Sequence, residues 1–259
     1  MKRPDFAVPV GFLIGIVGIS IAAVLEGVRL SFLWQPTAAL IVLGGTIGAI
    51  LIRRGFQGLL LVAREVVRLF MTEPRDDQDV TRNRLAALAR LARREGVQAF
   101  EPQAAATNDP LIAQALIMGA QYAEPAAIRN RLNRILDYED ECGLREVGTL
   151  EGAASYAPTF GILGAILGLI QVLRSLADPG TLGIGIATAF VATIYGVGLA
   201  NLFLFPLAAR LRERHSNRMR KREALAEALI ALTSHQSPTA IARMFVNEVE
   251  LATHRVISR

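Results

Sequence analysis

ASYAPTFGILGAILGLIQVL, residues 154–173, contains no charged side chain and is ruled by small residues at helical spacing: Pro158, Gly161, Ala165 and Gly168. GIGIATAFVATIYGVGLANLFLFP, residues 183–206, repeats the pattern with Gly185, Ala189, Thr193, Gly196 and Ala200. Residues three and four apart share a helix face, so both stretches predict helices bearing a smooth stripe. In a bilayer, helices associate through close backbone approach more than through hydrophobicity, and such stripes predict surfaces offered to another helix. Gly161, Gly164, Gly168 and Gly196 are the helix-packing candidates. Neither stretch contains a carboxylate. Whatever crosses the membrane here is therefore expected to pass between this chain and something else.

The rest of the chain agrees with a membrane class. Hydrophobic residues make up 52% of it and the mean hydropathy is +0.38, too apolar for an ordinary soluble domain. Residues 7–25, 30–52, 152–173 and 179–209 are nearly or wholly free of charge, and about 20 residues suffice to cross about 30 Å of hydrocarbon. Four spans put both termini on one side. Of the 28 lysines and arginines, only Arg29 and Arg174 fall in the two short connections. The others lie before span one, between spans two and three, and after span four, which makes those segments cytoplasmic. The basic excess does not point to nucleic acid, because acidic residues are interspersed and no groove-reading motif appears. Cys142 is the only cysteine, which excludes an intramolecular disulfide. Span one runs into a second apolar segment with no small-residue cleavage site between them, as in an uncleaved hairpin.

The predicted fold is all-α: a polytopic membrane protein with four transmembrane helices and a helical cytoplasmic domain. Its parts are residues 1–54, with spans one and two; 55–151, a cytoplasmic helical domain; 152–209, with spans three and four; and 210–259, cytoplasmic C-terminal helices. Apolar periodicity predicts helices over 56–71, 82–94, 125–149, 211–233 and 239–256, separated by turn residues at 73–79, 108–110 and 124–125.

Enzymatic constellations are absent from the sequence. His215, His235 and His254 lack metal-site spacing and read as scattered surface residues, and no phosphate-binding loop or nucleophile elbow occurs. No Asp, Glu, Lys, Arg or His lies in the four span cores, although ion pathways ordinarily carry such residues. If the chain conducts an ion, a partner must supply the protonatable group. Thr193 is the only hydroxyl on the span-four stripe; a threonine in such a helix ordinarily returns its hydroxyl to its own backbone, and a tyrosine such as Tyr195 ordinarily packs. Pro158 falls in the first turn of span three, where it is tolerated. Pro206 falls near the exit of span four, where its ring and missing N–H kink or end a helix.

Three segments in order, VLGGTIGA at 42–49, APTFGILGAILGLI at 157–170 and ATIYGVGLAN at 192–201 followed by Pro206, resemble the MotA/PomA family of flagellar motor stator subunits. The resemblance covers nearly the whole chain. It implies a ring of five such chains in the bacterial inner membrane around two copies of a single-span MotB-type partner, which brings the ion-binding Asp and a peptidoglycan-anchoring domain. It also implies a contact with the rotor protein FliG through Arg93 and Glu101, with Arg90 and Arg94 beside them. Read without the family, this arginine-rich stretch is a solvated helix face. The family's two functional prolines correspond to Pro158 and Pro206. The resemblance places Ala165, Thr193 and Tyr195 along the ion path.

Sodium-driven members carry Thr seven residues after the span-three proline, where this chain has Ala165. A bare cation needs several oxygen ligands, whereas a proton needs only the partner's carboxylate. H+ is the expected coupling ion, with no metal and no other cofactor. The alternatives are a sodium-driven PomA-type stator and a TolQ/ExbB-like energiser of envelope transport, against which the fourth span argues. A scaffold whose arginine-rich segment binds a protein or anionic lipid without ion flow is the reading from another class.

Overall fold

The computed structural model describes residues 7–27, 30–70, 78–174, 179–234, 237–241 and 243–246. Among them every regular element is helical: α1 (Ala7–Leu25), α2 (Pro36–Leu69), α3 (Gln78–Glu95), α4 (Phe100–Ala105), α5 (Pro110–Ala120), α6 (Pro125–Arg174), α7 (Pro179–Gly198) and α8 (Phe205–Thr233). Single 3-10 turns occupy Leu30–Leu33 and Val97–Ala99, and Leu199–Leu204 is a π-helical segment. Among the described residues, four helices are long and apolar enough to cross a membrane. Predicted features at 73–77, 175–178, His235, His254 and the end of the helix at 239–256 lie outside the described residues.

Two compact units form, one from Met1–Pro74 with Arg145–Arg212 and the other from Arg75–Leu144 with Glu213–Arg259. The first contains the apolar spans. Its α1 exposes Leu13, Ile14, Ile19, Ile21 and Leu25, the side-chain distribution of a helix whose solvent is lipid. The inner side of α1 meets the π segment: Gly15 approaches Leu202, and the Phe12 ring lies 4.6 Å from that of Phe203. A small core of Val62, Leu69, Val147, Leu150, Leu207 and Leu211 closes the other end.

Several helix boundaries differ from those expected. Span two starts its helix at Pro36 and not at residue 30, because Pro36 holds the first-turn position and the preceding Gln35 is extended (φ −125°, ψ 93°). Helix 125–149 and span three are one 50-residue helix, so Pro158 lies in its interior and not in a first turn. Pro158 has no N–H to give the Ala154 carbonyl, and the helix continues through it. Nor does Pro206 end a helix. The chain widens into the π segment just before it, and the wider i→i+5 turn gives the ring room before α8 proceeds. The Asn201 side-chain amide donates to the Val197 carbonyl at 3.0 Å within this irregular stretch.

The second unit is built on Leu85, Phe100, Leu111, Leu116, Ile128, Leu132, Leu229 and Ile241, all buried. Asp109 caps α5 by accepting from Leu111 N at 2.9 Å. Its other oxygen accepts from Arg222 Nη1 at 2.5 Å, and Arg222 forms a bidentate pair with Glu139 at 2.9 and 2.6 Å. Burial lowers the pKa of the Arg222 guanidinium, but the hydrogen bonds and charges of Glu139 and Asp109 outweigh it and raise the net value. His215 is a correction to the surface reading. It is buried, its Nε2 lies 2.8 Å from Asp140 Oδ1, and its ring packs so close to Gly143 that a Cβ there would lie 2.1 Å away.

Candidate functional site

The glycines of α6 and α7 face each other. A Cβ on Gly161 would lie 2.9 Å from the Ala192 carbonyl oxygen, and one on Gly168 would lie 2.8 Å from Ala189 N. One on Gly196 would meet Ala157 O at 2.6 Å and Pro158 Cα at 3.1 Å. Gly164 meets the Ala192 methyl, and Gly185 meets Val172. Only hydrogen fits at these positions, so the backbones approach as closely as helices can. In the structure the helix that each stripe meets is the other span of the pair. Sequence periodicity defines a face but does not say what occupies it.

This seam gathers Pro158, Gly161, Thr193 and Gly196, while Pro206 is exposed at the second position of α8. Thr193 is half-buried beside Gly161, and its hydroxyl makes a long 3.4 Å contact with the Ala189 carbonyl. Ala165 is half-buried on α6 between Gly161 and Gly168. Tyr195 sits on α7, but its hydroxyl donates to the Leu33 carbonyl and accepts from Gln35 N at 3.4 Å. Thr188 Oγ1 donates to the Gln35 side-chain oxygen at 3.3 Å. The break between the 3-10 turn and α2 leaves backbone groups without helical partners, which is costly in an apolar span, and α7 supplies those partners. Nothing in the sequence announces this contact, because its members stand about 160 positions apart.

At the other end of span two, Arg53 Nη1 donates to the Gly148 carbonyl at 3.0 Å and Arg54 Nη2 to the Arg145 carbonyl at 2.9 Å. Gly152 makes room for Arg53, since a Cβ there would lie 2.1 Å from its Nη1. Gly55 follows with φ 67° and ψ −179°, a kink inside α2 in a region that glycine adopts without strain.

In the second unit, Arg90, Arg93 and Arg94 are exposed on the last turns of α3, and Glu101 is exposed in the first turn of α4. Gly96 makes the corner with φ 81°. Val97 and Phe100 are buried and anchor the corner from below. Both sets of charges suit the helix dipoles where they stand, cations at a C-terminus and an anion at an N-terminus. The result is a charged edge on a corner held by buried side chains. Among the described residues no three metal-ligating side chains come together.

Comparison with known proteins agrees with this geometry. Residues 102–224 match the family described as the MotA/TolQ/ExbB proton channel family. Motility protein A of Aquifex aeolicus (strain VF5) is 30% identical over 241 residues, covering 90% of this chain and 93% of that one. Motility protein A of Bacillus subtilis (strain 168) is 29% identical over 236 residues, covering 90% and 86%. The structure of the flagellar MotAB stator complex from Bacillus subtilis superposes with a TM-score of 0.78 at 28% identity, covering 92% of this chain and 94% of that chain.

Proposed function

The chain belongs to the MotA/TolQ/ExbB proton channel family as a relative of motility protein A, and from that premise we propose that it is a flagellar motor stator subunit coupling inward proton flow to torque. It is a multi-pass inner-membrane protein with both termini in the cytoplasm. The observation that carries the reading is the chemistry of the spans: a relative of proton channels has no Asp, Glu, Lys, Arg or His in any of its four span cores. The proton carrier is then a carboxylate on a single-span MotB-type subunit, two copies of which stand inside a ring of five of these chains.

The residues divide the work. Ala165 and Thr193 border the path beside the glycine seam, and Tyr195 holds the start of span two against span four. Ala165 leaves Thr193 as the hydroxyl on this face, too few oxygens for a dehydrated sodium ion, whereas a proton needs only the partner's carboxylate. Pro158 removes a hydrogen bond from the middle of α6, and Pro206 follows a π segment. Both are places where a helix bends at low cost when the partner's charge changes. One proton crossing 100 mV releases about 2.3 kcal/mol, enough to bias a step of the ring. Arg93 and Glu101, flanked by Arg90 and Arg94, meet charged residues of FliG at the rotor.

The test is motility of cells carrying Arg93→Ala or Arg93→Glu at normal protein level, together with recovery of a single-span partner on purification. Charge reversal adds repulsion to a lost attraction and should impair swimming more than truncation does. Wild-type swimming by both variants, or purification with no single-span partner, refutes the reading.

A further inference from the structure

IRNRLNRIL, residues 128–136, sets three arginines and two asparagines among Ile128, Leu132 and Leu136, which are buried in the core of the second unit. The arginines face different surroundings. Arg129 forms an ion pair with Glu227 of α8. Arg131 and Arg134 are exposed and stand with Ala127 and Asn130 on another face of α6, since residues three and four apart share one side of a helix. Gln114 and Met118 stand one turn apart on α5, and these six residues line an open groove of about 540 Å³. That is within the range of small-molecule clefts, about 300–1,000 Å³.

The chemistry of the groove selects an anion. No carboxylate lines it. Gln114 Oε1 accepts from Arg131 Nε at 3.2 Å, which orients the guanidinium and leaves both of its Nη groups for a ligand. Among the described residues neither Arg131 nor Arg134 pairs with a carboxylate, although Asp137 stands one turn past Arg134. Side chains three positions apart on a helix leave the backbone about 5–6 Å from each other, and each guanidinium fork matches two oxygens of a phosphoryl group. Ala127 lies in the first turn of α6, where N–H groups without helical acceptors and the positive end of the helix dipole add to the field. The Asn130 and Gln114 amides are placed to meet hydroxyls or a base edge, and Met118 offers an apolar contact.

We propose that the groove between α5 and α6 binds a diphosphate group, carried by a nucleotide or free as inorganic pyrophosphate. Arg131 and Arg134 each hold one phosphoryl group, so a single phosphate engages only one fork in full. The site is joined to the charged corner through α5. Gly119, next to Met118, packs against the buried Phe100, whose Cδ2 would lie 3.4 Å from a Cβ there. A ligand that bridges α5 and α6 braces the helix behind Arg93 and Glu101, and its cytoplasmic concentration becomes an input to this unit. The assignment rests on the second unit alone and does not depend on the coupling ion.

The test uses the full chain in phosphatidylcholine nanodiscs, so that no anionic lipid competes, in magnesium-free buffer at constant ionic strength. Calorimetric titrations with inorganic phosphate, inorganic pyrophosphate and ADP are compared, and hydrogen exchange is followed with and without each. Pyrophosphate and ADP should each saturate at one per chain, bind at least about tenfold more tightly than phosphate, and slow exchange in residues 111–136. ADP tighter than pyrophosphate assigns the diphosphate to a nucleotide, and equal affinity assigns it to the inorganic ion. Arg131→Gln and Arg134→Gln should each weaken binding about tenfold, with Arg134→Lys between, because lysine keeps the charge and loses the fork. Arg84→Gln, the same charge change on exposed α3, should leave binding unaltered. Absence of saturable binding by both pyrophosphate and ADP overturns the proposal, as does an equal loss in Arg84→Gln, which would mark a general effect of net charge. Phosphate binding as tightly as pyrophosphate overturns the use of two forks. Binding of a hexaglutamate peptide without either diphosphate also overturns it, in favour of an acidic protein segment as occupant.

Discussion

Gly196→Ala adds one methyl where the structure has no room for it. The new Cβ would stand 2.6 Å from Ala157 O, 3.0 Å from Gly161 Cα and 3.1 Å from Pro158 Cα, all backbone atoms of α6. An ordinary C···O approach is about 3.3 Å, so α6 and α7 must part by about 0.7 Å at this point. No side chain can rotate to spare them. Overpacking of this kind costs about 1–3 kcal/mol, against which alanine returns up to about 1 kcal/mol of helix propensity over glycine. Gly198→Ala is the internal control, since a Cβ there meets nothing within 4 Å and only the propensity gain remains. The two variants should thus differ by about 1–3 kcal/mol, with Gly196→Ala the less stable. Thermal unfolding of the purified protein in nanodiscs reads the difference at about 2–4 °C per kcal/mol for a chain of this length. Coincident melting of the two variants, or higher stability for Gly196→Ala, would refute the seam as the closest contact between the helices.

Tyr195→Phe should cost about 1–3 kcal/mol, because the Leu33 carbonyl and the Gln35 N–H lose their partner in an apolar span. Unchanged melting would show that those groups are satisfied some other way. Arg222→Ala leaves Asp109 and Glu139 facing each other without their shared cation and should destabilise by about 3 kcal/mol, at the low end for buried pairs because all three side chains are partly exposed. Arg222→Lys, which keeps the charge and loses the bidentate fork, should fall between, and denaturant midpoints order the three proteins. Equal midpoints for wild type and Arg222→Ala would remove the network from the account of stability.

Charge-free length made the four spans legible, because hydrocarbon excludes charge whatever the tertiary structure does. The joins were less legible. A helix was expected to stop near residue 149 because the composition there changes from charged to apolar, yet that change marks a change of solvent. Neither Gly148, Gly152 nor Pro158 interrupts α6. Pro36 was the visible sign that span two begins late. The stripes on α6 and α7 declared close packing, but not that each was the other's partner. His215 looked like a surface residue because its cover, Asp140 and Gly143, lies on another helix more than 70 positions away. Arg93 and Glu101 were singled out by the family resemblance alone, since the arginine-rich stretch by itself reads as a solvated helix face; the sequence did not show the corner between them, with Val97 and Phe100 buried beneath it.

The central claim is that this chain conducts protons only through a carboxylate it does not own, and proton flux into vesicles tests it most directly. Vesicles would carry the chain alone, the chain with its single-span partner, or the chain with a partner whose membrane Asp is replaced by Asn, each under an imposed potential with and without sodium. Flux only in the vesicles with the intact partner, and independent of sodium, is the predicted result. A robust proton leak through the chain alone, or a flux that vanishes without sodium, would contradict it.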